Sequence, residues 1–251
     1  MKINLKIILS AIIITLMVIA CNSKNETEDK TEVSSKNPSI ISEETKLNPL
    51  DISAIEKAIN MQGTEKDGEY KVSVPQNDLN VEVDGFKIIP PMGLGSWAAF
   101  APARSGTMLM GDIVVTEDDL KPVQQEIIRQ GLTITAIHNH FVRNHPNVMY
   151  MHIGGMGSEE KLAEGVKAVF AKVEEVRGGN PAEAKAEEVE STLDTAMIAD
   201  ILGHSGKMNR GVYKITIGRP DVALKEYGAP VRPLWASTPG QPGKAHRRKQ
   251  Q

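Results

Sequence analysis

Four of the six histidines fall within fifteen residues: His138, His140, His145 and His152. Imidazole is a common metal ligand and can also act as an acid or base near neutral pH. His138 and His140 close an alternating apolar run, Leu132 to Phe141, that reads as a strand. Side chains two apart on a strand share a face, with Cα atoms about 6.6 Å apart at a rise of ~3.3 Å per residue. Two imidazoles at that spacing can converge on one ion through bonds of about 2.0–2.1 Å. Residues 148–153 read as the next strand, and the loop 141–147 lets it return antiparallel. If the register pairs even with even, His152 joins the face of His138 and His140. Three histidines with an open position suit a catalytic metal better than a closed structural one. The expected occupant is a divalent transition metal such as zinc. The competing account has the same histidines hydrogen-bonded in a polar pocket or holding an anionic ligand.

Two weaker candidates stand beside this set. Asp112 follows Gly111 in a strand and could supply a carboxylate, or a hydrogen bond to a ligand histidine. His145 lies next to Pro146 in the loop and is expected in solvent. Met108, Met110, Met149, Met151 and Met156 are near in sequence; thioethers suit copper, but core packing is the favoured reading. His-Asn-His lacks the surroundings of a nuclease motif. Ser96 has no nucleophile-elbow context, and no phosphate loop or dinucleotide fingerprint occurs.

Composition narrows the classes further. The 251 residues carry a formal charge of −3 and only 4% aromatics, so a general nucleic-acid binder is disfavoured. One cysteine excludes an internal disulfide and a cysteine-rich zinc site.

The elements that must position these residues alternate between helix and strand patterns. Leu50 to Met61 carries a helical apolar stripe, with Asp51 or Ser53 as cap. Tyr70, Val72 and Val74 share one face of a strand. Leu79 to Val83 and Phe86 to Ile89 flank Asp84-Gly85, a hairpin turn signal. Trp97 to Phe100 and Thr107 to Val115 read as strands. A helix starts after Thr116, with acids in its first turn, and stops at Gly131. Gly154-Gly155 is expected to break the chain before a helix over 158–173. The fold class is α+β, a mainly antiparallel sheet with packed helices.

The chain's ends read differently. Lys2 and Lys6 precede a short apolar run, Ile7 to Ala20, that ends in Val18-Ile19-Ala20-Cys21. This resembles a bacterial lipoprotein lipobox, which implies a signal peptide over 1–20 and acyl chains on Cys21. Several acyl chains anchor stably where one does not. Residues 21–48 are polar and read as a flexible tether. The resulting expectation is a bacterial cell-envelope protein, lipid-anchored. Asn22 in place of Asp favours the outer membrane if the cell has two.

An internal repeat is also expected. Residues 193–222 echo 50–79 at an offset of 143, with eight identities, among them Asp51/Asp194, Gly63/Gly206, Tyr70/Tyr213 and Lys71/Lys214. The echo then stops, and a Pro-rich basic tail, 229–251, follows. Read one base out of phase, residues 232–240 can encode a Pro-Pro-Met-Gly-Leu stretch like 90–94. This reading divides the chain into a first domain (49–173), a linker (174–192), an incomplete second copy (193–228) and an out-of-frame tail (229–251).

Pro91-Met92-Gly93-Leu94-Gly95-Ser96-Trp97-Ala98-Ala99-Phe100, Met110-Gly111-Asp112-Ile113-Val114-Val115 and Ala136-Ile137-His138-Asn139-His140-Phe141, followed by Tyr150-Met151-His152, together resemble the LppY/LpqO lipoprotein family, the DUF1259 domain. The resemblance covers about 50–173 in full and 193–228 in part. It implies an envelope location and a two-copy architecture, and no reaction. Three functions remain open: an envelope lipoprotein binding a divalent metal or small-molecule ligand at the histidine pocket, a metal-dependent hydrolase, and a structural or partner-binding lipoprotein. Binding is placed ahead of hydrolysis because no general base stands out.

Overall fold

The computed structural model describes residues 47–185, 189–219, 221–227 and 229–231. The signal segment, Cys21, nearly all of the tether and the tail from residue 232 lie outside the described residues.

The first helix, α1 (Ile52–Ile59), is capped by Asp51, whose carboxylate accepts the Ala54 amide. It leads into β1 (Thr64–Lys66) and β2 (Glu69–Pro75). A small hairpin follows, β3 (Val81–Val83) and β4 (Phe86–Ile88), turning at Asp84-Gly85 as expected. A 3₁₀ turn at Pro90–Met92 precedes β5 (Gly95–Ala103) and β6 (Gly106–Thr116), both longer than the sequence pattern suggests. Then come α2 (Glu117–Arg129), β7 (Thr133–His138), β8 (Asn144–His145), β9 (Val148–Gly157) and α3 (Glu159–Arg177). The last described elements are α4 (Thr195–Leu202), the hairpin β10 (Lys207–Asn209) and β11 (Val212–Lys214), and the short pair β12 (Lys225–Glu226) and β13 (Ala229–Pro230).

One antiparallel sheet organises the molecule, in the order β1-β2-β5-β6-β9-β7. Strand alternation gives it two faces. Tyr70, Val72, Val74, Ala98, Phe100, Leu109, Ile113, Val115, Met151 and Ile153 point to one side. There they meet Ile55 and Ile59 of α1, Val123 and Ile127 of α2, and Leu162, Val166, Val169 and Phe170 of α3. Thr116 and Asp119 form a reciprocal capping box at the start of α2. Arg177, at the end of α3, reaches back to Asp119, to Gln76 and to the Val114 carbonyl, tying helix to sheet. The α+β class and the antiparallel pairing agree with the sequence.

Two expectations are corrected. Gly154-Gly155 does not break the chain; β9 runs through it to Gly157. A β-carbon on Gly155 would stand 3.1–3.2 Å from Leu132 and Leu162, so glycine here lets α3 pack tightly on the strand. The strand read over 132–141 ends at His138. Beyond it the backbone turns away, and Asn144 and His145 pair instead with Val83 and Glu82 of β3.

The sheet's other face carries no long helix among the described residues. Met108, Ala99, Ala101 and Ala103 form a small buried cluster there, packed with Trp97, Met110 and Met156. Ala229, 1% exposed, completes it. This face also holds the histidines.

Candidate metal centre

Pairing across the sheet places chemistry in rows. Ser73, Trp97, Asp112, His152 and Ala136 are successive partners on β2, β5, β6, β9 and β7. In the next row Val114 pairs with Tyr150, and Tyr150 with His138. Even does pair with even, so His138 and His152 share the open face. This parity depends on a bulge at Thr135, where the register shifts between Ile134 and Ala136. Ile134 packs on the helix side, whereas His138, four residues on, points the other way. A regular strand would put both on one face; one extra residue resolves the conflict.

The Nε2 atoms of His138 and His152 are 2.9 Å apart, with the rings edge to face. Asp112 Oδ2 lies 3.5 Å from His152 Nε2 and 3.9 Å from His140 Nε2. Asp112, His138 and His140 each offer a ligand atom within 4.8 Å of the others. His140 is not on the strand; it sits in the bend after β7 and reaches the cluster by stacking on Tyr150. Their ring centroids are 3.5 Å apart and nearly parallel. Tyr150 is fully buried and donates its hydroxyl to the Gly93 carbonyl at 3.1 Å. Gly93 adopts φ 111, which disfavours a side chain, and a β-carbon there would sit 3.7 Å from His140 Nδ1. The Met-Gly-Leu loop thus holds the tyrosine that holds the histidine.

Electrostatics prepare the cluster for a cation. Burial pushes the Asp112 carboxyl up to about 7, against the pull of the Lys71 charge. Its Oδ1 is buried with no hydrogen bond among the described residues. His140 is pushed down to about 4 by burial and then by His138 and His152. His152 is lowered by burial and then by His138. Both shifts favour the neutral imidazole, the form that metal ligation requires, and in the metal-free structure one of the two hydrogen-bonded Nε2 atoms of His138 and His152 carries the proton an ion would displace.

His145 is exposed on β8 and is not among the donors that come together. Ser96 is buried, with its hydroxyl accepting the Val114 amide at 2.9 Å, a structural role. Met108, Met110 and Met156 pack in the alanine-lined cluster, while Met149 and Met151 pack on the helix side. Asp112, a minor candidate by sequence, is central. Tyr150 and Lys71, which in the sequence stand only as parts of a motif and of the repeat, also belong to the site or its border. The available signal was parity: Tyr150 is two residues from His152.

A cleft of about 450 Å³ opens beside Asp112 and His140. Lys71, Ser73 and Trp97 of the sheet line it together with Asn209, Arg210 and Lys214 of the β10–β11 hairpin. The Lys71 ammonium lies 4.2 Å from the centre of the Trp97 ring.

No curated protein and no solved structure matches the chain. Residues 53–172, which contain every member of the histidine–aspartate cluster, match the family described as Domain of Unknown Function (DUF1259).

Proposed function

We propose that this protein binds a divalent transition metal through Asp112, His138, His140 and His152. The spacing of the donors carries the reading. Ligand atoms around a tetrahedral ion with bonds of about 2.0–2.1 Å stand roughly 3.3 Å apart. Asp112, His138 and His140 offer ligand atoms within 4.8 Å of one another, and His152 joins them at 3.5 Å from Asp112 and through its 2.9 Å hydrogen bond to His138, which an ion would replace. A buried, unpaired carboxylate oxygen beside neutral imidazoles adds the charge a cation would satisfy. Mixed nitrogen and oxygen donors suit zinc. A hydrolytic role is the second reading; the cleft that meets the site at Asp112 and His140 favours it by giving a substrate access.

The lipobox, its lone cysteine and the polar tether support an envelope lipoprotein anchored through Cys21. Residues 193–228 are proposed to be a partial second copy. In support, β10–β11 pairs Lys207 with Lys214 as β1–β2 pairs Thr64 with Lys71, each 143 residues on. Tyr70 and Tyr213 each accept a glycine amide, from Gly63 and Gly206. Asp194 caps α4 as Asp51 caps α1.

Elemental analysis of the purified protein after zinc equilibration and dialysis tests the metal reading. One equivalent is expected in the parent and in His145→Ala, and well under half in His138→Ala and His152→Ala. Circular dichroism verifies that the variants fold. A metal-free parent, or equal retention by all variants, would overturn it.

A further inference from the structure

The cleft beside the metal cluster is charged in a way the chain as a whole is not. The protein carries a formal −3. The cleft lining, however, contains three cations, Lys71, Arg210 and Lys214, and one carboxylate, Asp112. On the proposed reading that carboxylate is engaged by an ion, and the charged groups left among the described lining residues are cations.

Geometry fixes where this charge stands. Lys71 sits on β2, one strand beyond Trp97 and two beyond Asp112, on the same face. The face of the Trp97 ring holds its ammonium in the cleft. Lys214 and Arg210 line the same cleft from a hairpin some 140 residues later. Arg210 occupies the turn of that hairpin, at φ 46, and lines the cleft. Lys71 and Lys214 lie close enough for repulsion to act together with burial in pushing Lys71 down to about 8. The volume, about 450 Å³, is in the range of small-molecule sites.

We infer that this cleft binds a small anion, a phosphate- or carboxylate-bearing molecule, with one oxygen directed to the Asp112–His140 side and its charge met by Lys71, Lys214 and Arg210. The inference deepens the metal reading and rests on it. It also divides the labour along the chain. The metal donors belong to residues 53–172, while two of the three cations come from outside that segment. Selectivity for the anion would then be set by the hairpin, not by the metal-binding sheet.

Calorimetric titration of the full chain tests this, with inorganic phosphate in one arm and acetate in the other, each with zinc and without. Phosphate or acetate should bind the zinc-loaded chain, and the arm with the higher affinity identifies the headgroup. The pair Arg210→Met with Lys214→Met should weaken binding about tenfold or more, with zinc content unchanged. Lys225→Met, on β12 and outside the cleft lining, should not. Equal affinity in the double variant and the parent, or no binding of either anion to the zinc-loaded chain, would overturn the inference. If zinc fails to bind, yet the metal-free chain takes phosphate in a way the double variant loses, the cationic lining stands and the metal reading falls.

Discussion

Asp112 is the residue on which the site turns. It is 4% exposed, its carboxyl is pushed up to about 7, and one of its oxygens has no hydrogen bond among the described residues. A raised carboxyl pKa means that the folded state binds more protons than the unfolded one, between about pH 4 and 7. Stability of the metal-free chain is therefore lost across that window as pH rises, and the penalty is complete above pH 7. Each unit is worth about 1.4 kcal/mol. Asp112→Asn should raise the Tm of the metal-free chain at pH 8, with the gap narrowing as pH falls towards 4. Saturating zinc should reverse the order, because the parent gains a charged ligand that the variant lacks. Thermal melts at several pH values, with chelator and with zinc, measure both signs; a metal-free parent more stable than the variant at pH 8 would contradict this account. At this scale His138 and His152 were legible, since two histidines on adjacent strands announce themselves by parity. Tyr150 was not: its part in the site is to stack on His140 and bond to Gly93, contacts that join three separate stretches of chain.

At the scale of elements, the bulge at Thr135 decides which way His138 points. The sequence reads as one regular strand over 132–141, and nothing in Thr133-Ile134-Thr135-Ala136 marks an extra residue. The conflict becomes visible only when Ile134 is seen in the helix-side core and His138 on the open face. Deleting Thr135 should force one of them onto the wrong face. The expected result is a folded chain with a lower Tm and little bound zinc; full zinc retention would show that parity is not what aims the histidine. The end of β7 was likewise hidden. Residues 144 and 145 pair with β3, and this draws the chain off the sheet after His138 and leaves His140 to stacking. Helices were easier to read, because caps are local. Asp51, Thr116 and Ser158 each accept an amide three residues on, as their positions ahead of apolar stripes predict.

Across the whole molecule, the proposed function joins an envelope address to a metal site. The proposed address, Lys2, Lys6 and the lipobox-like run ending at Cys21, is legible because lipidation signals are read as linear sequence. Cys21→Ser should abolish labelling by a palmitate analogue in a bacterial host and leave the precursor uncleaved; equal labelling of the variant would remove the anchor from the account. The cationic cleft had no such linear signature. Lys71 and Lys214 were noticed as echoes of each other, not as neighbours, and only the folded chain brings them to one cavity. Ala229 adds a similar surprise: read as the first residue of an out-of-frame tail, it lies in a buried cluster with Ala99, Ala101 and Met108.

The central claim is that four side chains from β6, β7, β9 and the bend after β7 hold one ion. Anomalous diffraction at the zinc edge, from crystals of the zinc-equilibrated protein, locates that ion directly. The account predicts a single strong peak about 2.0–2.2 Å from an Asp112 oxygen and from imidazole nitrogens of His138, His140 and His152. A peak bound elsewhere, or none among these four residues in zinc-equilibrated crystals, would contradict it.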